Sequence, residues 1–395
     1  MKGARVLEVG SSLTAHYVGR QLAALGAEVL KVEPPEGDPS RRNGPFVRDT
    51  PHPDGSALFL YLNAGKRGIT VDRSTPTGRA IVGRLAARAD IVLWGDDTAT
   101  GQEAAAAVEV GRTAVWMLIS PYGATGPRAG WSAYSLNIFH AGGEGYLLPG
   151  GLAWLAYPDR EPIKAAGYVG EFSAGDSIVG ACMLALLMDK PQDGPRIVDA
   201  SIQEALLQVL RQEAWEYRAD GNLPTRASRS MAIAGQMPTK DGWVEMVPAT
   251  EKMVDSIFEW MGRPAWTQEY PTSDEQRAHG QRITPLLADW TVQHTSEELV
   301  QGGYERGVAV GHVLEPSQIL GDPQLAAREF FAEIDHPHAG RLKYPLLAYR
   351  FEAEGDTPAP LPRPAPLLGE HNVEVLEGLD FSRREISALY EAGII

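Results

Sequence analysis

Between Ala4 and Glu33 the sequence runs strand, helix, strand. The run ARVLEV is apolar and closes on Gly10-Ser11-Ser12. Leu13, Tyr17, Leu22 and Leu25 then recur at helical spacing until Gly26. EVLKV, residues 28–32, reads as a second strand before Glu33-Pro34-Pro35. Parallel strands cannot be joined by a tight turn and need a crossover, usually a helix. The unit therefore predicts an α/β chain whose parallel sheet is covered by helices. Its first turn, Gly-Ser-Ser, lacks the G-x-G-x-x-G pattern that cradles a dinucleotide pyrophosphate.

The alternation continues with a helix over 76–88, strands over 89–94 and 114–120, and a helix from Ser135 to His140. GDPSRRNGPF (37–46) carries Arg41 and Arg42, and FLYLNAGKRGITVD (59–72) carries Lys66 and Arg67 just before a short strand. Basic residues in turns are ordinarily solvated surface. Two basic loops beside sheet edges also suit the phosphates of a nucleotide-like ligand. PYGATGPRAG follows the strand at 114–120 and places Gly123 at a strand C-terminus, where ligands sit in open α/β sheets. With 36 basic and 51 acidic residues the formal charge is −15, which argues against non-specific binding to nucleic acid or an anionic membrane. The single cysteine, Cys182, excludes a disulfide framework and a Cys-based zinc site and reads as a core residue. His140 has no second histidine at ligand spacing, so no metal is expected. No apolar run reaches membrane-spanning length and MKGARVLEVG reads as a strand, so the expected location is cytoplasmic.

Ala165–Leu206 holds one carboxylate, Glu171, ahead of an apolar helical run. Ile178, Val179, Cys182, Met183, Leu184, Leu186 and Leu187 wrap most of its circumference, which predicts a buried helix. An acid at a helix N-terminus lies at the positive end of the dipole, beside free N–H groups. It is either a charge that complements the dipole or a positioned nucleophile or base. Beyond it, a helix continues to about Tyr217, and DGNLPTRASRS (220–230) reads as a linker. A smaller α+β segment follows, with KDGWVEMVP and helices over 251–262, 273–291 and 294–306. Residues 322–334 read as helical, the Pro-rich run 357–372 as extended, and 381–391 as a last helix. Three segments result: 1–220, a large domain; 221–321, a small α+β domain; and 322–395, a return to the large domain. No internal repeat is visible.

LAALGAEVLKVEPPEGDPSR (22–41), LNAGKRGITVD (62–72), ISPYGATGPRAG (119–130), VDASIQEALL (198–207), PTKDGWVEM (238–246), GDPQLAAREFF (321–331) and APLLGEHNVEVL (365–376) together resemble the family III CoA-transferases. This group includes formyl-CoA transferase, carnitine-CoA transferase and α-methylacyl-CoA racemase. The resemblance implies a Rossmann-like large domain built from both chain ends, a smaller inserted domain, and two interlocked subunits that the Pro-rich tail would wrap. It implies an acyl-CoA:carboxylate CoA-transferase in which coenzyme A is a substrate and no cofactor is tightly bound. The partners it implies are a second copy or a homologous subunit, and a small carboxylic acid. Matching the family's D-x-x-x-G places Glu171 at the nucleophilic aspartate. Candidate CoA contacts are His16 and Tyr17, Arg41, Asn63, Lys66 and Arg67, Gly123, Tyr134, and a closing loop at Gly235-Gln236. Trp131, Phe139 and Met237 are candidates for an acyl pocket.

The chain departs from the family at WGDDTAT (94–100), where an E-N-F-R-P-G loop is usual, and at HYVGR (16–20), where G-P is common. The racemase pattern would put Tyr134 and Glu171 in the acid/base roles, with Glu251 as a further match. A phenol of ordinary pKa near about 10 is a poor base at neutral pH. An isomerase or lyase with Glu171 as base, and a non-catalytic or CoA-independent partner subunit or scaffold, are the remaining alternatives.

Overall fold

The computed structural model describes residues 1–95, 115–149, 157–188, 194–209, 212–221, 223, 225–226, 233, 235–350 and 363–395. Strands β1 (Arg5–Gly10), β2 (Glu28–Glu33), β3 (Arg67–Thr70), β4 (Ile91–Gly95), β5 (Val115–Ser120) and β6 (Arg196–Ser201) form one six-stranded sheet in the order β3-β2-β1-β4-β5-β6. Every pairing in it is parallel. The order reverses between β1 and β4, the switch point at which open α/β sheets hold ligands beyond the strand C-termini.

Both faces are covered, so the inner strands are near-continuously apolar. One face packs Leu7, Val9, Leu30, Ile69, Trp94 and Trp116 against helix α3 (Pro76–Ala86) and the helices at Asn372–Glu377 and Arg383–Glu391. Residues from both ends of the chain thus share one core. The opposite face packs Val6, Val29, Ile91, Leu93 and Met117 against α1 (Leu13–Ala24), α5 (Val169–Leu187) and α6 (Ile202–Val209). Helices α2 (Ala57–Asn63) and α4 (Ser135–Ala141) complete this set. This compact unit comprises Met1–Gly142, Ala166–Val209 and Ala326–Ile395.

A second compact unit comprises Gly143–Ala165 and Leu210–Leu325, and the 221–321 range read from the sequence lies inside it. Strands β7 (Gly235–Pro238), β8 (Trp243–Met246) and β9 (Val310–His312) make its antiparallel sheet. Met237, Val244, Met246, Ile257, Phe258, Ile283 and Leu299 form its core.

Three expectations need correction. Residues 322–334 are not one helix: a short helix at Pro323–Ala327 is followed by a hairpin of β10 (Phe331–His336) and β11 (Gly340–Pro345). The Pro-His-Ala-Gly turn and the alternation of Phe331, Glu333 and Asp335 with their neighbours are the signals for it. Helix α5 is not buried all round. Ala174, Ile178, Cys182 and Ala185 face the core, while Leu184 and Leu187 stand 63% and 82% exposed. By length and composition α5 could cross a membrane, yet its inner face is part of the sheet's core. His16, a candidate CoA contact, lies in α1 and is fully buried.

The burial of His16 has a charged cause. Glu8 and Lys31 face each other across β1 and β2, and Lys31 Nζ lies 3.1 Å from Glu8 Oε1 and 3.1 Å from Asp38 Oδ2. His16 spans the same carboxylates, with Nδ1 2.9 Å from Glu8 and Nε2 2.9 Å from Asp38. Lys66 Nζ reaches Glu8 Oε2 at 2.7 Å. Burial alone would raise the pKa of Glu8, but Lys66 and Lys31 outweigh it and hold the carboxyl well below its usual range. Burial, the largest single effect, opposes the imidazolium of His16, but Asp38 and Glu8 together favour it enough that the pKa rises. At Asp38 burial is likewise overcome, by His16 and Lys31, and the carboxyl is held low. Gly19 is required here because a Cβ would lie 2.0 Å from Glu8 Oε2.

Carboxyls held low in the fold stabilise it above their unfolded pKa and lose that contribution as pH falls through the range below about 4.5. Glu8→Gln, which leaves Lys31 and Lys66 short of a buried counter-charge, is expected to cost about 3–5 kcal/mol at neutral pH. The variant should also show a flatter acid limb than the parent when denaturant midpoints are measured from pH 7 to pH 3.

Candidate active site

Glu171 is the third residue of α5, within the first helical turn, where backbone N–H groups and the helix dipole favour an anion. It is only 7% exposed. Its Oε2 is buried and makes no hydrogen bond among the described residues. A buried carboxylate oxygen without a donor is costly in a folded chain. It is also what a nucleophile needs, because a lone pair tied up in hydrogen bonds is a weaker one.

Glycines set how closely α5 approaches its neighbours. A Cβ on Gly175 would lie 2.6 Å from Tyr17 Cδ1, and one on Gly170 would lie 3.3 Å from Phe139 Cδ2. With no side chain there, α5 seats against Tyr17 of α1 and Phe139 of α4. Tyr17 also stacks on Phe172 with ring centroids 4.7 Å apart. Its hydroxyl accepts a bond from Gln21 Nε2 at 2.6 Å and donates to Asp176 Oδ1 at 3.1 Å. Burial, then the Asp176 carboxylate, push the Tyr17 phenol well above its ordinary pKa, so it stays neutral. Both Tyr17 and Leu206, which contacts Gly170, lie in the second turns of helices that follow β1 and β6. Glu171 is therefore held on the side of the sheet where the strand C-termini lie.

The loop after β5 borders this region. Gly123, at φ 90°, donates its N–H to Ser120 Oγ at 3.0 Å, and the Ala124 N–H is held by Asp199 of β6 at 2.9 Å. Tyr134 precedes α4 and is 84% exposed. Trp131 is exposed, while Phe139 is core. At the switch point a Cβ on Gly95 would lie 2.4 Å from the Ala15 Cβ, so β4 ends hard against α1. Asp96 to Thr100 of the WGDDTAT loop lie outside the described residues.

The basic residues expected to hold phosphates are arranged otherwise. Arg41 is buried and uses every N–H. Its Nε and Nη2 clamp Glu33 at 2.6 and 2.8 Å, Nη1 donates to Asp54 at 2.7 Å and to Pro53 O at 3.3 Å, and Nη2 donates to Pro366 O at 3.1 Å. The three ammonium protons of Lys66 go to Glu8 Oε2, His16 O at 2.8 Å and Asn63 Oδ1 at 2.9 Å. Burial pulls this lysine down to about 8, and Glu8 offsets part of the effect. Neither cation has a free donor for a phosphate in this arrangement. Asn63 is a buried support for Lys66, and His16 belongs to the charged cluster. Arg67 points to the other face of the sheet and pairs with Glu374 at 2.8 Å. Gly235 and Gln236 are not a loop but β7, in the second unit, paired with Met246 and Glu245. Glu251 opens the helix at 251–260, also in that unit. Burial raises the thiol of Cys182 to about 12, as suits an inert core residue.

The sequence matches the family model described as CoA-transferase family III over residues 1–372. It is 28% identical to the succinyl-CoA–D-citramalate CoA-transferase of Chloroflexus aurantiacus, an alignment covering 95% of this chain and 92% of that one. It is 29% identical to the alpha subunit of succinyl-CoA–L-malate CoA-transferase from Chloroflexus aurantiacus, covering 100% and 92%. Among solved structures, a CAIB/BAIF family protein from Brucella suis superimposes with a TM-score of 0.81 at 27% identity, covering 96% of this chain and 99% of that one.

Gly175→Ala drives a methyl group into the Tyr17 ring. Overpacking of this kind is expected to cost about 1–3 kcal/mol, read as a lower melting temperature. Gly180→Ala, on the same helix with nothing within 4 Å of its Cβ position, should leave that temperature unchanged or higher.

Proposed function

Because the chain belongs to CoA-transferase family III, we propose that it moves coenzyme A from an acyl-CoA to a carboxylate acceptor, with Glu171 as the nucleophile. One observation carries the reading: a buried carboxylate with an unpartnered oxygen in the first turn of α5, the residue that the resemblance matches to the family's acid. The relatives' names place succinyl-CoA among the donors to examine first.

In the proposed sequence a Glu171 oxygen bonds to the thioester carbonyl carbon. The C–S bond breaks, leaving an acyl–glutamyl anhydride and CoA thiolate. The thiolate then attacks the glutamyl carbonyl and releases the donor acid as a carboxylate. The acceptor carboxylate attacks the resulting glutamyl thioester and expels the thiolate again. Attack of that thiolate on the acceptor's acyl carbon forms the new acyl-CoA and restores Glu171. No proton or water is consumed, so a site that excludes water protects both anhydrides from hydrolysis. The neutral Tyr17 ring, stacked on Phe172, supplies an apolar wall beside the acid. Glutamate is one methylene longer than aspartate, which moves its oxygens by about 1.5 Å, enough to cost on the order of a hundredfold in a site built for the shorter acid.

A homodimer is part of the proposal. The exposed Leu184 and Leu187 on α5 are a face that a second copy would cover, and light scattering should give twice the chain mass. The saturated donors of Arg41 and Lys66 favour a second reading, a CoA-independent subunit that pairs with an active homologue, in line with the alpha-subunit relative. Millimolar CoA separates the two, since a ligand that binds only the folded state raises the melting temperature.

Glu171→Gln should lower CoA transfer by at least about a thousandfold with little change in melting temperature. Hydroxylamine added with succinyl-CoA should leave a hydroxamate at Glu171 in the parent and none in the variant. An active Glu171→Gln protein would remove Glu171 from the mechanism.

A further inference from the structure

At the opposite edge of the sheet, where the strands begin, β3 starts level with Leu30 rather than with Glu28. The sheet is therefore one strand narrower at that corner, and a cavity of about 380 Å³ opens there. Apolar side chains, among them Leu7, Leu30, Leu85 and Leu379, line it alongside three arginines: Arg5 at the start of β1, Arg67 at the start of β3, and Arg88 after α3.

These arginines differ from Arg41 in how they are used. Arg5 has one ion pair, Nε to Asp90 at 3.6 Å. Arg67 has one, Nη1 to Glu374 at 2.8 Å. Arg88 pairs with Asp380 at 3.7 Å and donates to the Gly378 carbonyl. Among the described residues, both terminal nitrogens of Arg5 and Nη2 of Arg67 have no partner. Glu28 and Glu374 are the acids that line the cavity, and Asp90 and Asp380 pair with Arg5 and Arg88 beside it, so any recognition of an anion there rests on the guanidinium donors left over and not on an excess of positive charge. Guanidinium groups bind carboxylates through paired N–H donors.

We infer that this corner is a binding site for a small organic carboxylate with a hydrocarbon body, its head between the arginines and its tail on the leucine floor. The size bounds the ligand. At about 30 Å³ for each water-sized group the cavity holds roughly a dozen non-hydrogen atoms, at the small end of ligand pockets. An eight-carbon acid fits, and coenzyme A does not. The inference is independent of the reading at Glu171, which lies toward the other edge of the sheet.

Sodium octanoate titrated calorimetrically into the full-length protein is the test, beside 1-octanol and inorganic phosphate. Octanoate should bind saturably at one site. Arg5→Gln/Arg88→Gln should weaken it by about tenfold or more, and the cavity-filling Ala89→Leu should do the same without removing a charge. Both arginines are half exposed and their ion pairs are long, so the double variant should keep the parent's melting temperature. Octanol and phosphate, each holding half of the chemistry, should bind at least about tenfold more weakly. Octanoate binding that survives both variants, phosphate binding as tight as octanoate, or no saturable binding by about ten millimolar would each overturn the assignment.

Discussion

Glu8 holds this fold together at the place where it is hardest to build. One carboxylate in the middle of β1 meets Lys31 of β2, His16 of α1 and Lys66 ahead of β3, with Asp38 closing the circuit. Charges of this kind are expensive to remove from water. Their mutual geometry therefore has to be met as a set, and it fixes the order of three elements and the loop after β2. The loop is tightened further by Arg41, which ties Glu33 to Asp54 and to the Pro366 carbonyl. The polar centre specifies how β1, β2, α1 and α2 meet, and the apolar faces on either side supply the burial.

The candidate site is built on what this framework makes rigid. Helix α1 is fixed from below by His16 and presents Tyr17 one residue on, and Tyr17 in turn receives Gly175 and stacks on Phe172. Glu171 sits one turn before Gly175 on α5. Its position is thus set by helix packing, and its Oε2 makes no hydrogen bond among the described residues. Precision in catalytic groups generally comes from such supporting contacts.

Much of this was legible in the sequence. The alternation of apolar runs and helical periods is local, and it placed five of the six strands of the parallel sheet within about two residues, with β3 beginning two residues before the ITVD run, while β6 (Arg196–Ser201) was not read as a strand. Glu171 stood out because an acid between glycines ahead of an apolar helix is a local pattern as well. Less legible was which charges would find each other. Arg41, Lys66 and His16 lie in the polar stretches or helix starts that ordinarily face solvent. Their partners Glu33, Asp54 and Glu8 are brought to them only by tertiary pairing. The clue available in advance was the unusual pair of charges inside two apolar strands, Glu8 in RVLEVG and Lys31 in EVLKVE, which a parallel sheet places side by side. The uncovered face of α5 was illegible for the converse reason. An apolar circumference says that a helix prefers burial, and it does not say whether this chain supplies the cover.

The covering of the other face has a further consequence. Strand β1 begins at residue 5, while the core it joins is completed by Leu376, Ile386, Leu389 and Ile395, and the Asp72 amide donates to the Ile394 carbonyl. During synthesis the nascent sheet must keep Leu7, Ile69 and Trp116 unshielded until those last helices leave the ribosome. The early strands thus depend on the chain's last helices for part of their cover, the circumstance in which transiently exposed apolar surface favours mispairing.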